Sequence, residues 1–211
     1  YEFITIAMHK LRTPLTRIRW QVAALSDSEI DAKTKEAIGH IDDASNQLIT
    51  LTDTLVQASE SDSYFGPNKG ESFALTDVVK EELDRLKKLV TEKRIHVSTS
   101  FGEHIPPILG DRHRIASVVG VMLENACVYT GEDGSVSVSI ENKKRNVVCT
   151  VADSGIGINA DDQRRIFSRF FRTEAAKHAD TEGMGLGLAM SKAIISHYRG
   201  EIGFHSDGEG K

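Results

Sequence analysis

The sequence predicts two domains of different class: a helical hairpin that forms a dimeric four-helix bundle, then an α+β domain, an α/β sandwich with a mixed sheet. Three observations predict this. Apolar residues hold a heptad spacing through roughly the first 60 positions, and "SDSYFGPNKG" at 61–70 then reads as a linker by composition. Beyond it strands alternate with helices, and two neighbouring strands are joined by the short turn "NKKRN". The expected boundaries are 1–62 for the hairpin, 63–70 for the linker and 71–211 for the second domain.

The first helix carries Ile4, Met8, Leu11, Leu15, Ile18, Val22 and Leu25 in alternating steps of four and three. "SDSE" supplies turn and N-cap residues, and a second seam follows in Ala37, Ile41, Ala44, Leu48, Leu51, Leu55 and Ala58. A single hairpin of this size buries too little to stand alone, so a homodimer through residues 1–60 is expected. His9 follows the seam residue Met8 and so lies about 100° off the buried stripe, with Thr13 one turn further on the same face. Pro14 removes a helical hydrogen bond and bends the helix beside them.

In the second domain "ESFAL" reads as a strand, 76–93 as a helix and "RIHVSTSF" as a strand. "PPILG" leads to a helix over about 111–129, then the strands "SVSVSIE" and "NVVCTVAD". A short helix near 160–168, an irregular stretch 172–183, a helix 185–198 and a strand "EIGFHS" complete the pattern.

Composition narrows the function. The chain has 211 residues, 39% hydrophobic and 27% charged, with a net charge of −5, which speaks against nucleic acid as a partner. Cys127 and Cys149 have no CxxC partner and read as core thiols of a reducing compartment. No stretch approaches the ~20 apolar residues of a membrane span, so no membrane contact is expected of this fragment. The chain opens inside a helical pattern and stops at "GEGK", which reads as a piece of something longer.

Glycines carry the chemical signal. "DSGIGI" puts Asp153 at a strand end, with Gly155 and Gly157 letting backbone pass close to a ligand. "GMGLGLAMSK" places Gly183, Gly185 and Gly187 at a helix start, where free N–H groups favour phosphate. Neither stretch is a Walker loop or a Rossmann fingerprint, and the HRD and DFG signatures of protein kinases are missing from the sequence.

Taken together, these residues resemble the catalytic core of a bacterial sensor histidine kinase. "HKLRTPL" resembles that family's H box, "LENACVYT" its N box, "DSGIG" its G1 box, "IFSRFFR" its F box and "GMGLGLAMSK" its G2 box, in the family's order. The resemblance implies a dimeric domain bearing a phosphorylated histidine, and an ATP-binding domain of the gyrase and Hsp90 type. It implies His9 as phospho-acceptor, with Lys10 and Thr13 as its neighbours in the catalytic turn, and Asn125 as the ligand holding Mg²⁺ against the phosphates. Asp153 would accept from the adenine amino group at the bottom of an apolar pocket, over a floor shaped by Gly155 and Gly157. Tyr129, Arg172, Gly183, Gly185, Leu186 and Gly187 would complete the ATP site, and 172–183 would be a mobile lid. The implied cofactors are ATP and Mg²⁺, the implied partner is a response-regulator receiver domain, and the implied setting is the cytoplasm or the cytoplasmic portion of a membrane-bound sensor.

Three residues depart from the family's pattern. Lys10 stands where most members carry a carboxylate, and an ammonium offers no acceptor to the imidazole N–H. Val121 and Val128 stand where the N box usually has a second asparagine and a basic residue. Arg169, Arg172, Lys177 or Lys192 is the cation expected to make up part of that loss. Two functions follow: an autokinase that passes phosphate from His9 to an aspartate, or a degenerate ATP-binding dimerisation module that signals by conformation alone.

Overall fold

The computed structural model of the chain describes residues 70–208 apart from 145, 182 and 184, together with residues 15, 16, 18, 20, 22, 34, 38, 39 and 41. The chain divides into two compact units, Tyr1–Gly66 and Pro67–Lys211. In the first unit the described residues are all helical. Leu15, Val22 and Ile38 are buried, whereas Ile18 and Ile41 remain 44% and 48% exposed in the single chain. His9, Lys10, Thr13 and Pro14 lie outside the described residues.

The second unit runs β1 (Glu71–Phe73), α1 (Leu75–Arg85), α2 (Lys87–Glu92), β2 (His96–Phe101), β3 (Ile108–Gly110), α3 (Arg112–Tyr129), β4 (Ser135–Lys143), β5 (Asn146–Asp153), α4 (Glu174–Ala179) and α5 (Gly187–His197). β1 and β3 form a two-stranded antiparallel pair. The main sheet has the order β2-β4-β5, parallel between β2 and β4 and antiparallel between β4 and β5, and so is mixed as the "NKKRN" turn predicts.

The period-two alternation of β4 turns Val136, Val138 and Ile140 into the core. α3 faces the interior with Ile115, Val118, Val119, Leu123, Ala126 and Cys127, the spacing of one helical stripe. Its start is fixed by Asp111, whose carboxylate accepts from the Arg114 N–H at 3.1 Å. α3 packs between α1 and α5 and against β5, so it is the central helix of the layer.

Four expectations need correction. Residues 160–168 are successive turns, not a helix: Arg165 donates to the Asp162 carbonyl and Ser168 to Arg165, each three residues back, so no four-residue ladder forms. The stretch 172–183 is not wholly irregular, because Thr173 caps the short helix α4 by accepting from the Ala176 N–H at 3.0 Å. "EIGFHS" makes no ladder; its Ser206 hydroxyl instead accepts from the Ile158 N–H at 2.9 Å. The helix expected over 76–93 is interrupted at Leu86, which ends α1 and begins α2. Among the described residues no helix is long and apolar enough to cross a membrane.

Candidate functional site

A helix ends by leaving carbonyls without intrahelical donors. At the end of α3 each of them is met. The Thr130 N–H donates to Ala126 O at 3.1 Å, and the Ile156 N–H donates to Tyr129 O at 3.2 Å. The Lys93 ammonium, from the turn after α2, donates to Cys127 O, Val128 O and Thr130 O at 3.0, 2.7 and 2.6 Å. The loop after β5 is thereby docked on the last turn of the helix that carries Asn125 and Tyr129.

Gly155 permits that docking. A Cβ there would stand 2.7 Å from Tyr129 O and 2.6 Å from Asp153 Oδ1, inside contact distance of both. Asp153 Oδ1 accepts from the Gly155 N–H at 2.9 Å. The carboxylate is exposed, not sunk at the bottom of an apolar pocket as expected. Gly157 takes φ +68°, the left-handed region that favours glycine. Gln163 steadies the same loop, donating to Ile158 O and Ser206 O at 3.1 and 3.2 Å. Burial pushes the Cys127 thiol up; the Lys93 ammonium opposes that shift and the Asp153 carboxylate adds to it. Thr130 Oγ1 is buried beside this junction without a hydrogen-bond partner.

The second glycine cluster meets α3 from another side. Gly185 adopts φ +69°, and a Cβ there would come within 2.5 Å of Phe171 O. Its carbonyl accepts from the Phe170 N–H at 2.8 Å, which ties the "RFFR" stretch to the glycine loop. A Cβ on Gly187 would press on Val121 at 2.9 Å, one turn before Asn125. α5 starts at Gly187 after Leu186, and no side chain caps its first-turn amides. Those amides stay available to an anion.

Arg172 acts within the stretch expected to form a lid. Its guanidinium donates to Gly183 O at 2.7 Å, to Ala176 O at 2.8 Å and to the Asp180 carbonyl, and pairs with Asp180 Oδ2 at 3.2 Å. Only 11% of the side chain is exposed, so the group is committed to Ala176, Asp180 and Gly183. Lys177 pairs with Glu174, and Lys192 lies 5.2 Å over the Phe167 ring. Three of the four cations expected to offset Val128 are therefore engaged elsewhere. The one beside Val128 is Lys93, which no motif singles out. A cavity of about 420 Å³ lies between the end of α2, the last turn of α3 and the end of α4, lined by Leu89, Lys93, Val128, Ala179, Asp180 and Thr181.

The structure thus docks the loop of Asp153 and Gly155 on the end of the helix that carries Asn125 and Tyr129, sets Gly187 against Val121 of the same helix, and joins Arg172 to Gly183. Among the described residues no cluster of three or more His, Cys, Asp or Glu could hold a metal.

Comparison with known proteins finds two families along the chain. Residues 1–64 match the His Kinase A (phospho-acceptor) domain family, and residues 110–211 match the histidine kinase-, DNA gyrase B- and HSP90-like ATPase family. The signal transduction histidine-protein kinase BaeS of Escherichia coli (strain K12) is 28% identical over 201 residues, covering 95% of this chain and 43% of BaeS. The chain thus spans less than half the length of that relative. Full-length ShkA in complex with AMPPNP has the same fold with a TM-score of 0.78 at 22% identity, over 96% of this chain and 43% of ShkA. Histidine kinase ThkA in complex with the response regulator TrrA matches with a TM-score of 0.61 at 24% identity, over 94% of this chain and 55% of ThkA.

Proposed function

We infer, from the premise that the chain is the catalytic core of a sensor histidine kinase, that it phosphorylates His9 from Mg-ATP and passes the phosphoryl group to an aspartate of a response regulator. The observation that carries the reading is the junction at the end of α3, where the Asp153 loop docks on Tyr129 O one turn beyond Asn125. The glycines make this a cradle that a Cβ would fill, and the orphaned Thr130 hydroxyl lies beside it. These features fit a nucleotide.

The residues divide the work. Asp153 accepts from the adenine amino group and so disfavours guanine, whose carbonyl would face a carboxylate. Gly155 and Gly157 bring backbone close to the base, and Tyr129 bounds the pocket at the helix end. Gly183, Gly185, Leu186 and Gly187 present the uncapped amides of α5 to the phosphates. Asn125 would hold Mg²⁺ through its side-chain carbonyl. One neutral protein ligand suits a cation that keeps its waters and binds through substrate phosphates, and the lack of a carboxylate cluster among the described residues agrees. Arg172 keeps the lid ordered. Bound Mg-ATP supplies the transferable group, and catalysis by the chain is positioning and charge neutralisation. His9 is the nucleophile, Lys10 lies beside it, and Thr13 can position water for the reverse reaction on a phospho-aspartate. The pattern of a histidine kinase complexed with a response regulator supports a receiver domain as partner. A need for ATP and for a receiver domain supports a cytoplasmic setting for the core.

Incubation with γ-labelled ATP and Mg²⁺ tests the reading. Label should be acid-labile, alkali-stable and lost in His9→Gln, as a phosphoramidate requires. Label that persists in His9→Gln defeats the assignment of the nucleophile.

A further inference from the structure

We propose that Lys93 determines polyphosphate affinity by placing a fixed positive charge on the carbonyl end of α3; the proposal rests on the nucleotide reading above. The end of a helix carries the equivalent of about −0.5 charge, which would repel a triphosphate lying along the last turn. The Lys93 ammonium donates to three of the carbonyls that create this charge, at 2.6–3.0 Å. One full positive charge on that end reverses its sign.

The ammonium is held in place beforehand. The Lys93 carbonyl accepts from the Asp133 N–H at 3.0 Å. The next residue, Arg94, donates to Asp133 Oδ1 at 2.7 Å and Glu132 Oε2 at 2.8 Å. The charge also faces a space. Among the described residues Lys93 is the single basic residue lining the cavity of about 420 Å³, and the acidic residue described there, Asp180, is paired with Arg172. Val128, on the same wall, contributes no charge. Lys93 is thus a positioning residue in two senses: it orients the turn that bears Asn125 and Tyr129, and it sets the sign of the wall beside them.

Charge and geometry separate on a phosphate ladder. Calorimetry on the full chain with ATP, ADP, AMP and adenosine compares Lys93→Met, which loses charge and donors, with Lys93→Gln, which loses charge but keeps amide donors, and Lys93→Arg, which keeps both. Lys93→Gln reports on charge if Lys93→Met does not fold. ATP affinity should fall at least tenfold in the neutral variants and ADP affinity less, while adenosine stays within twofold. Lys93→Arg should rescue ATP binding, and the salt dependence of ATP affinity should flatten in Lys93→Gln. Equal losses for adenosine and ATP would overturn the proposal and leave Lys93 a plain helix cap; unchanged ATP affinity in Lys93→Gln would overturn it too. If the unmutated chain binds neither adenosine nor ATP, the nucleotide reading itself falls, a result distinct from either.

Discussion

Asp153 has one carboxylate oxygen already occupied, because Oδ1 accepts from the Gly155 N–H at 2.9 Å. That bond fixes the plane of the carboxylate, and Oδ2 is left as the acceptor for an exocyclic amine. An acceptor-only group at this point selects a donor, and an amide in its place can present N–H to N–H. Asp153→Asn should therefore weaken ATP at least tenfold, about 1.4 kcal/mol. Adenosine should weaken by the same factor, because the lost contact is to the base. Calorimetry on both ligands checks this, and unchanged adenosine affinity would remove Asp153 from the base pocket. The contrast with Lys93, whose loss should grow with each added phosphate, assigns the two residues to opposite ends of the ligand.

The elements differ in how plainly the sequence announces them. β4 was legible because "SVSVSI" alternates strictly and one face is buried. α3 was legible to within a residue because Asp111 caps it and its apolar stripe repeats without a break. The turns at 160–168 were not, since "DDQRRIFSR" has helical composition but Gln163 is drawn into bonds with Ile158 O and Ser206 O. Lys93 was not legible either, because its partners lie 34 to 37 residues away and only the fold brings them together. Arg172 was read as a ligand contact, and its position in the pattern gave no hint that the lid backbone would take its donors. The lid yields its own prediction. With Arg172→Ala the carbonyls of Ala176, Asp180 and Gly183 lose their shared donor, and the Asp180 carboxylate loses a charge partner. Limited proteolysis should then cut within 173–186 at least tenfold faster than in the unmutated chain, with the melting temperature of the domain shifted by only a few degrees. Equal cleavage rates would mean that the guanidinium does not hold the lid.

At the scale of the whole molecule the proposed function gives the two compact units, Tyr1–Gly66 and Pro67–Lys211, separable tasks. Every described residue of the proposed nucleotide site belongs to the second unit, so its affinity should not depend on the state of the first. The first unit reads as half of a bundle: Leu15, Val22 and Ile38 are buried in the single chain, while Ile18 and Ile41 are exposed although both fall on heptad seams. A seam residue left exposed in one copy is the position a second copy covers. Ile18→Glu would force a carboxylate into that interface with no cation introduced to neutralise it, at a cost of several kcal/mol for a buried unpaired charge. Light scattering should find the unmutated chain dimeric and Ile18→Glu shifted to monomer at micromolar concentration, whereas ATP affinity should stay within twofold. Loss of ATP binding together with the dimer would show that the site draws on the first unit, and a monomeric unmutated chain would refute the bundle. Transfer to His9 gives the last readout. If phosphorylation takes place within one subunit, Ile18→Glu retains labelling in proportion to its bound ATP; if it takes place between subunits, labelling disappears with the dimer while ATP stays bound.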